Sequence, residues 1–331
     1  MRPVLLLISL VLALVGARAT SGADTLLCNG HAELCDRPVT DVTFAATHNA
    51  MASSAAGFRV PEQGPTMLGQ LDGGVRALLI DTWYAAPAGP IVLTDLSASK
   101  TSERDLARLL GKRAASAAIA IRRVTPRLLL GRRDVYLCHG YCELGSTRLS
   151  RFTRDLRVWL DTHPDDVVAL VIEDHTAPQE IARAFTSAGL VDRTYAHVAA
   201  DPWPKLRELI AARRQLIVIT QGRADGVPWL LRTADVVEET PYRFGSAAAL
   251  ATTSSCAIGR GGAGRPFFLL NHWIERSPPS RSDASLVNAE GVLGERARRC
   301  AALRGRNPSF VAVDFAERGD LLRVVDSLNG L

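Results

Sequence analysis

Strand-length apolar runs alternate with segments of helical periodicity along most of this chain. The runs cover residues 42–47, 75–82, 134–138, 167–172, 215–220, 266–270 and 309–315, with a weaker eighth run at 235–238. Most of them are continuously apolar, which is typical of parallel strands buried on both faces. This alternation predicts an α/β protein, a (β/α)8 TIM-type barrel that is regular, distorted or incomplete and carries its functional residues at the carboxyl ends of the strands.

The length and composition fit a single large domain. The chain has 331 residues, of which 47% are hydrophobic and 22% charged, enough for a sizeable core. Residues 1–19 combine a basic start, a short apolar stretch and an Ala17-x-Ala19 pattern, which predicts a cleaved secretory signal; an uncleaved membrane anchor is the alternative. We therefore expect a secreted protein whose barrel domain spans residues 20–331.

All six cysteines follow the predicted signal. An even number of cysteines in an oxidising compartment favours disulfides over metal ligation. Loop length favours three pairs, although other connectivities remain open: Cys28 with Cys35, Cys138 with Cys142, and Cys256 with Cys300. The second bridge would either fix the position of His139 or only stabilise the loop, with no role for this residue.

The excess of positive charge is concentrated in one segment. The net charge is +5, but the basic residues are nearly all arginine, a bias that reflects genome composition more often than nucleic-acid binding. Residues 97–133 hold ten lysines and arginines against two acidic residues, interleaved with apolar positions. This pattern predicts a basic helical excursion from the barrel, which is either a solvated face or a contact for an anionic lipid surface.

Four successive predicted strands end in residues suited to acid–base chemistry or cation binding. They are His48, Asp81, His139 and Glu173. Because the carboxyl ends of barrel strands meet at one mouth, we expect these side chains to surround a single cavity. Asp314, on the last strand, is expected to hydrogen-bond His48 and fix its tautomer. A single residue of this kind is as often a capping group, so the prediction depends on the set.

Several motifs resemble the X-domain of phosphatidylinositol-specific phospholipase C, and in particular the secreted plant and bacterial X-domain-containing proteins. They are Thr-His-Asn-Ala-Met at 47–51 and the segments at 74–83, 136–142, 168–174 and 310–320. The resemblance implies a phospholipase C-like phosphodiesterase with a distorted barrel. By the same resemblance His48 is the general base, His139 is the general acid, and the first product is a cyclic phosphate.

The resemblance also implies a calcium site. In calcium-dependent members Asn49, Asp81 and Glu173 match metal ligands, all of them oxygen donors. This chain departs from those members at Leu79, where they carry a glutamate. Calcium is therefore an open expectation, with three protein ligands in place of four.

Four residues are candidate substrate contacts. Trp83 stands where the metal-free bacterial branch carries an arginine, and Arg76 or Arg223 would offset phosphate charge if no cation does so. Arg223 and His272 also follow predicted strands, with structural roles as the alternative.

The sequence therefore predicts a secreted phospholipase C-like enzyme acting on phosphatidylinositol or a related glycerophospholipid. Another reaction of the same superfamily, glycerophosphodiester hydrolysis or sphingomyelinase D-like headgroup transfer, is an alternative. A non-catalytic module that binds inositol phosphate, glycan or membrane is the alternative from another class. We expect a monomer whose partner is a lipid headgroup or membrane surface and not nucleic acid.

Overall fold

A computed structural model describes residues 26–126 and 130–331. The predicted signal at residues 1–19 lies outside the described residues. Within them, none of the helices has the length and apolar character needed to span a membrane. The predicted disulfide pairing is confirmed: the bonds join Cys28 to Cys35, Cys138 to Cys142, and Cys256 to Cys300.

A curved sheet forms the centre of the fold. Its strands are β1 (Phe44–Thr47), β2 (Ala77–Ala88), β3 (Ile91–Thr94), β4 (Asp134–Leu137), β5 (Thr147–Arg148), β6 (Val168–Asp174), β7 (Leu216–Thr220), β8 (Leu230–Arg232), β9 (Val237–Glu239), β10 (Arg260–Gly261), β11 (Phe267–His272) and β12 (Phe310–Val313). Eight of them run parallel in the order β9-β11-β12-β1-β2-β6-β7-β8. Every residue of β7, β11 and β12 is buried, as the apolar runs predict.

The ring of parallel strands is not closed by hydrogen bonds. Among the described strands, β8 and β9 lie at the two ends of the parallel set and do not pair with each other. β10 pairs with β9 in the antiparallel direction. The prediction of a distorted or incomplete (β/α)8 barrel is therefore confirmed. β8 was not predicted from the sequence, and the weak run at 235–238 corresponds to β9 and the short helix before it.

Helices cover the outside of the sheet. They are α1 (Met67–Asp72), α2 (Glu103–Leu110), α3 (Lys112–Val124), α4 (Leu149–Thr162), α5 (Pro178–Ser187), α6 (Leu206–Ala211), α7 (Thr233–Val236), α8 (Ala247–Leu250), α9 (Arg281–Val287), α10 (Glu290–Arg304) and α11 (Leu321–Asn329). α4 shows how they pack, because Phe152, Leu156 and Leu160 recur at helical spacing and are all buried.

The segment at 97–133 contains α2 and α3. Ser102 begins α2 with a capping box, in which its hydroxyl accepts from the Asp105 amide and the Asp105 carboxylate accepts from the Ser102 amide. Arg122 on α3 is hydrogen-bonded to the buried carboxylate of Glu143 and to the Thr94 carbonyl. These contacts fasten the excursion to the wall of the barrel.

β2 is unusually long and takes part in two kinds of pairing. Its first half is a barrel strand and pairs in parallel with β6, with Asp81 opposite Glu173. Its second half leaves the barrel and pairs antiparallel with β3 and β4. The prediction that residues 134–138 form the third parallel strand was therefore wrong. β4 runs back towards the barrel and ends with Leu137 opposite Thr82, which delivers His139 to the level of Asp81.

Candidate active site

A cavity of about 360 Å³ opens at the carboxyl ends of the parallel strands. Polar residues reach it from nearly every part of the ring, as a barrel mouth predicts. They include His48 and Asn49 after β1, Asp81 on β2, Glu173 on β6, Gln221 after β7, Glu239 on β9, Asn271 on β11 and Asp314 after β12, with His139 entering from β4.

His48 is held on three sides. Its Nδ1 lies 2.8 Å from Oδ1 of Asp314, the contact expected from the sequence, and 3.1 Å from Oε2 of Glu62. Its ring stacks on Trp273 with the centroids 3.7 Å apart and the planes 5° from parallel. The backbone is fixed as well, because the His48 amide donates to the Val313 carbonyl of the neighbouring strand. The imidazole therefore has little freedom to rotate.

Glu62 joins the two histidines and was missed in the sequence. Its Oε1 lies 2.9 Å from Nδ1 of His139, while its Oε2 lies near His48 and accepts from the Asn49 amide at 2.6 Å. The side chain is only 5% exposed. Glu62 lies in a loop after β1, where no strand or helix periodicity indicates which side chains point inward. The only indication in the sequence is that Glu62 follows the histidine motif at 47–51 by a short stretch of chain.

His139 lies in a short, constrained loop. The Cys138–Cys142 disulfide closes this loop, and Gly140 adopts a positive φ of 72°. A side chain at Gly140 would collide with Leu106 of α2. The loop therefore depends on both a covalent bridge and a close approach of α2.

The carboxylates control the charge of both imidazoles. Burial by itself lowers the pKa of His48, but the charges of Glu62 and Asp314 outweigh this effect and raise it to about 10. Burial likewise opposes protonation of His139, and Glu62 followed by Asp81 raises its pKa to about 9. The two imidazolium charges hold the pKa of Glu62 below its usual range, despite its burial. The carboxylates therefore favour the protonated form of both imidazoles.

Asp81 and Glu173 form a second acidic group beside the histidines. Burial and then the charge of Glu173 raise the pKa of Asp81 to about 7. Burial also raises that of Glu173, but the hydrogen bond and charge of His175 lower it to about 2. Among the described residues, none donates a hydrogen bond to the Asp81 carboxylate. These two carboxylates on neighbouring strands, with Asn49 lining the same cavity, are oxygen donors of the kind a hard divalent cation prefers, and such a cation would relieve their repulsion.

A polar cluster faces the histidines from the other side of the cavity. Arg260 donates twice to Glu239 at 2.8 Å and once to Gln221 at 3.1 Å, and it lies over the Tyr242 ring. Asn271 also donates to Glu239 at 2.7 Å. Arg260 was not predicted, because it lies in a glycine-rich stretch without strand or helix periodicity. The stretch forms β10, and this strand directs the arginine into the cavity.

Two predicted substrate arginines lie away from the cavity. Arg76 precedes β2, at the opposite end of the barrel, where its guanidinium is bound to Asp166 and to the Leu71 carbonyl. The Arg223 side chain is 84% exposed and pairs with Asp225. Both predictions were wrong, the first because it took the amino end of a strand for a mouth position. The arginines that line the cavity are instead Arg108, Arg243, Arg260 and Arg276.

His272 and Trp83 were also predicted incorrectly as substrate contacts. His272 is fully buried and bonded to the Val287 carbonyl, because strand alternation turns Asn271 and Trp273 towards the cavity and His272 away from it. Trp83 lies where β2 has already left the barrel, buried beneath the ring of His175. Its role in the structure is to support the residue that contacts Glu173.

Comparisons with known proteins agree with this architecture. The family model described as PI-PLC X matches residues 123–329. A protein of Arthroderma benhamiae named "PI-PLC X domain-containing protein 1" is 28% identical over 98% of this chain and 96% of its own length. An "Uncharacterized secreted protein" of the same organism is 23% identical over 95% of this chain and 66% of that protein.

Solved structures show a similar fold. A phosphatidylinositol-specific phospholipase C from Staphylococcus aureus superposes with a TM-score of 0.51 at 14% identity, covering 89% of this chain and 94% of that one. A double mutant of this enzyme gives a TM-score of 0.52 at 11% identity, over 90% and 95% of the two chains. With the family match extending over more than half of its length, the chain belongs to the PI-PLC X-domain family.

Proposed function

We propose that this protein is a secreted phosphodiesterase that cleaves the headgroup of a glycerophospholipid of the phosphatidylinositol type. The observation that carries the proposal is the pair of imidazoles, His48 and His139, held at one cavity by a single buried carboxylate. The names of the similar structures support this class of reaction. Three disulfides and a relative named as a secreted protein support an extracellular location.

In the proposed reaction a headgroup hydroxyl next to the phosphate attacks the phosphorus. His48 takes the hydroxyl proton at Nε2 as the new P–O bond forms, and His139 gives a proton from Nε2 to the glycerol oxygen as the old P–O bond breaks. The products are a cyclic phosphate and a diacylglycerol. Nδ1 of both rings faces carboxylates, so Nε2 is the atom left for transfer; on His48 it lies 3.1 Å from the Asn49 amide nitrogen, and the attacking hydroxyl must displace that contact. Asp314 and Glu62 keep the rings in this orientation.

We also propose that Asp81 and Glu173, with the amide oxygen of Asn49, hold a divalent cation, for which calcium suits the oxygen donors. A bound cation would offset the negative charge of the phosphate. Leu79 lines the cavity without offering a ligand, so three protein ligands remain and weak binding is expected. Arg260 lines the same cavity, and its charge already acts on Glu173.

The cluster of Arg260, Glu239 and Gln221 gives the headgroup a polar surface on the far side of the cavity. Its donors and acceptors are fixed by mutual hydrogen bonds, which suits recognition of hydroxyl groups on a ring. Tyr242 adds a flat face beside them. A polyol headgroup therefore matches this side better than a compact quaternary amine does.

The test is turnover of phosphatidylinositol vesicles by His48→Ala and His139→Ala, with phosphorus NMR of the products. General acid–base catalysis contributes about 100-fold to 10,000-fold, so losses of that size are expected. His31→Ala is the matched control, because His31 lies at the other end of the barrel beside Asp326. Unchanged turnover in the first two variants, or an open monoester as first product, would refute the mechanism.

A calcium titration with a chelator control tests the cation proposal separately. Activity that rises with calcium, and binding of calcium to the inactive His48→Ala protein, are expected. Binding without turnover of any phosphodiester by the unmodified protein would favour a non-catalytic module instead.

A further inference from the structure

Helix α2 lies across one side of the cavity mouth. Residues 108–111, at its end, line the cavity. Leu106 packs against Gly140, the neighbour of His139, and the Ser277 hydroxyl donates to the Leu110 carbonyl from the opposite side. α2 therefore joins the loop that carries the proposed acid to the loop that follows Trp273. Whatever approaches the cavity meets the outer face of this helix.

That outer face carries a net positive charge, with four basic residues against the exposed Glu103 and Asp105. Leu106, Leu110 and Ala114 are buried, which turns the remaining positions outward. Four basic residues on the outer face of α2 and the first turn of α3 are exposed: Arg104, Arg108, Lys112 and Arg113. Asp105 lies 3.5 Å from Arg108, but exposed pairs of this kind contribute little and leave the arginine available.

The charge of the whole chain is divided in the same way. Residues 97–133 carry ten basic and two acidic side chains, a net charge of +8. Because the chain as a whole carries +5, the remainder carries −3. The excess of positive charge therefore lies in this stretch of the sequence, of which α2 and the start of α3 border the mouth, and an anionic surface would be attracted to them.

The excursion also exposes apolar side chains, at and beyond the far end of α3. Val124 is 80% exposed and Leu130 is 51% exposed. A hydrated polyanion such as nucleic acid offers these groups no apolar contact, whereas the boundary between lipid headgroups and acyl chains does.

We propose that the outer face of α2 and the start of α3 docks the mouth of this protein onto an anionic lipid bilayer. The inference rests on the proposed function for its orientation, since a site that cleaves lipid headgroups must face the bilayer. The binding itself does not require turnover. The contact is peripheral and electrostatic, and it should weaken as salt screens the charges.

The test compares two triple variants of equal charge by sedimentation with vesicles. Arg104, Lys112 and Arg113 are changed to Gln in the first, which leaves the cavity-lining Arg108 intact. Lys205, Arg207 and Arg213, exposed residues between the start of α6 and β7 at the other end of the barrel, are changed to Gln in the control. The vesicles are pure phosphatidylcholine or a phosphatidylcholine–phosphatidylglycerol mixture, in buffer with chelator.

We expect the unmodified protein and the control to bind the mixed vesicles and not the neutral ones. The first variant should bind about 100-fold more weakly, at about fivefold for each charge removed near the surface. Equal binding by the first variant and the unmodified protein would overturn the proposal. Binding to duplex DNA as tight as to the mixed vesicles would also overturn it, in favour of a general polyanion site.

Turnover of a monomeric, water-soluble phosphodiester separates this proposal from the catalytic one. The first variant should retain that activity, since none of its three residues lines the cavity. If no version of the protein cleaves any phosphodiester but the difference in vesicle binding persists, the catalytic proposal fails and the docking surface stands.

Discussion

Replacing Glu62 with glutamine should lower the pKa of both histidines while preserving the shape of the site. Glu62 is the main group that raises the pKa of His139 to about 9, and the burial that opposes protonation would remain. The pKa of His139 should therefore return towards its ordinary value of 6.5. A change of that size corresponds to about 3 kcal/mol. His48 retains Asp314 as a partner, so its pKa should fall less.

Imidazole NMR signals followed across a pH titration measure these pKa values without any need for turnover. The pH profile of kcat/KM gives a second measurement. In the proposed mechanism His48 must have lost its proton and His139 must hold one, so the unmodified protein should be most active near pH 9 to 10 in the absence of added cation. In Glu62→Gln the maximum should move to lower pH.

Glu180→Gln is the matched control, since Glu180 forms a surface pair with Arg183 on α5. It should change neither titration. The reasoning would be refuted if the pKa of His139 in Glu62→Gln stayed near that of the unmodified protein. An unchanged pKa would mean that the carboxylate between the two rings does not set their charge.

Three further predictions concern stability and the cation. The free energy of unfolding should fall as pH rises through about 9 and 10. The raised pKa values of His48 and His139 stabilise the fold fully only below pH 6.5, the ordinary histidine pKa, and this stabilisation is lost as the two rings lose their protons. Urea denaturation across this pH range would show the fall, and a flat profile would contradict it. Asp81→Asn should weaken calcium binding by at least tenfold in calorimetry while raising stability near pH 8 in its absence, since one of two adjacent buried charges is removed. Changing Cys138 and Cys142 together to serine should cost about 2–3 kcal/mol of stability and broaden the His139 NMR signals, whereas sharp, unshifted signals would show that the bridge does not hold this loop.

The positions that the sequence predicted correctly are those fixed by the strand pattern. His48, Asp81, Glu173 and Asp314 follow or end buried parallel strands, and the carboxyl ends of such strands meet at one mouth whatever the details of packing. With Glu173 facing the cavity, strand alternation turns its neighbour Asp174 away from it. These predictions needed only local patterns and a general property of barrels.

The residues that the sequence did not reveal depend on features with no local pattern. Glu62 reaches the site from an irregular loop, and Arg260 reaches it from a two-residue strand. An apolar run also has no direction, so the antiparallel course of β4 was invisible, although His139 still reaches the cavity. The prediction for His272 was wrong for a different reason: a shift of one position along a strand exchanges the inner and outer faces.

The long strand β2 positions both the carboxylate pair and the proposed acid, His139. Asp81 belongs to its parallel half, and the neighbouring Thr82 pairs with the strand that carries His139. The separation between the proposed acid and the carboxylate pair is therefore set by residue count along a single strand. An insertion or deletion between Asp81 and Thr82 would rotate every later residue of β2 to the opposite face and dismantle both halves of the site together. Evolution of a new headgroup specificity in this fold would be expected to work through the surrounding loops and leave this strand at constant length.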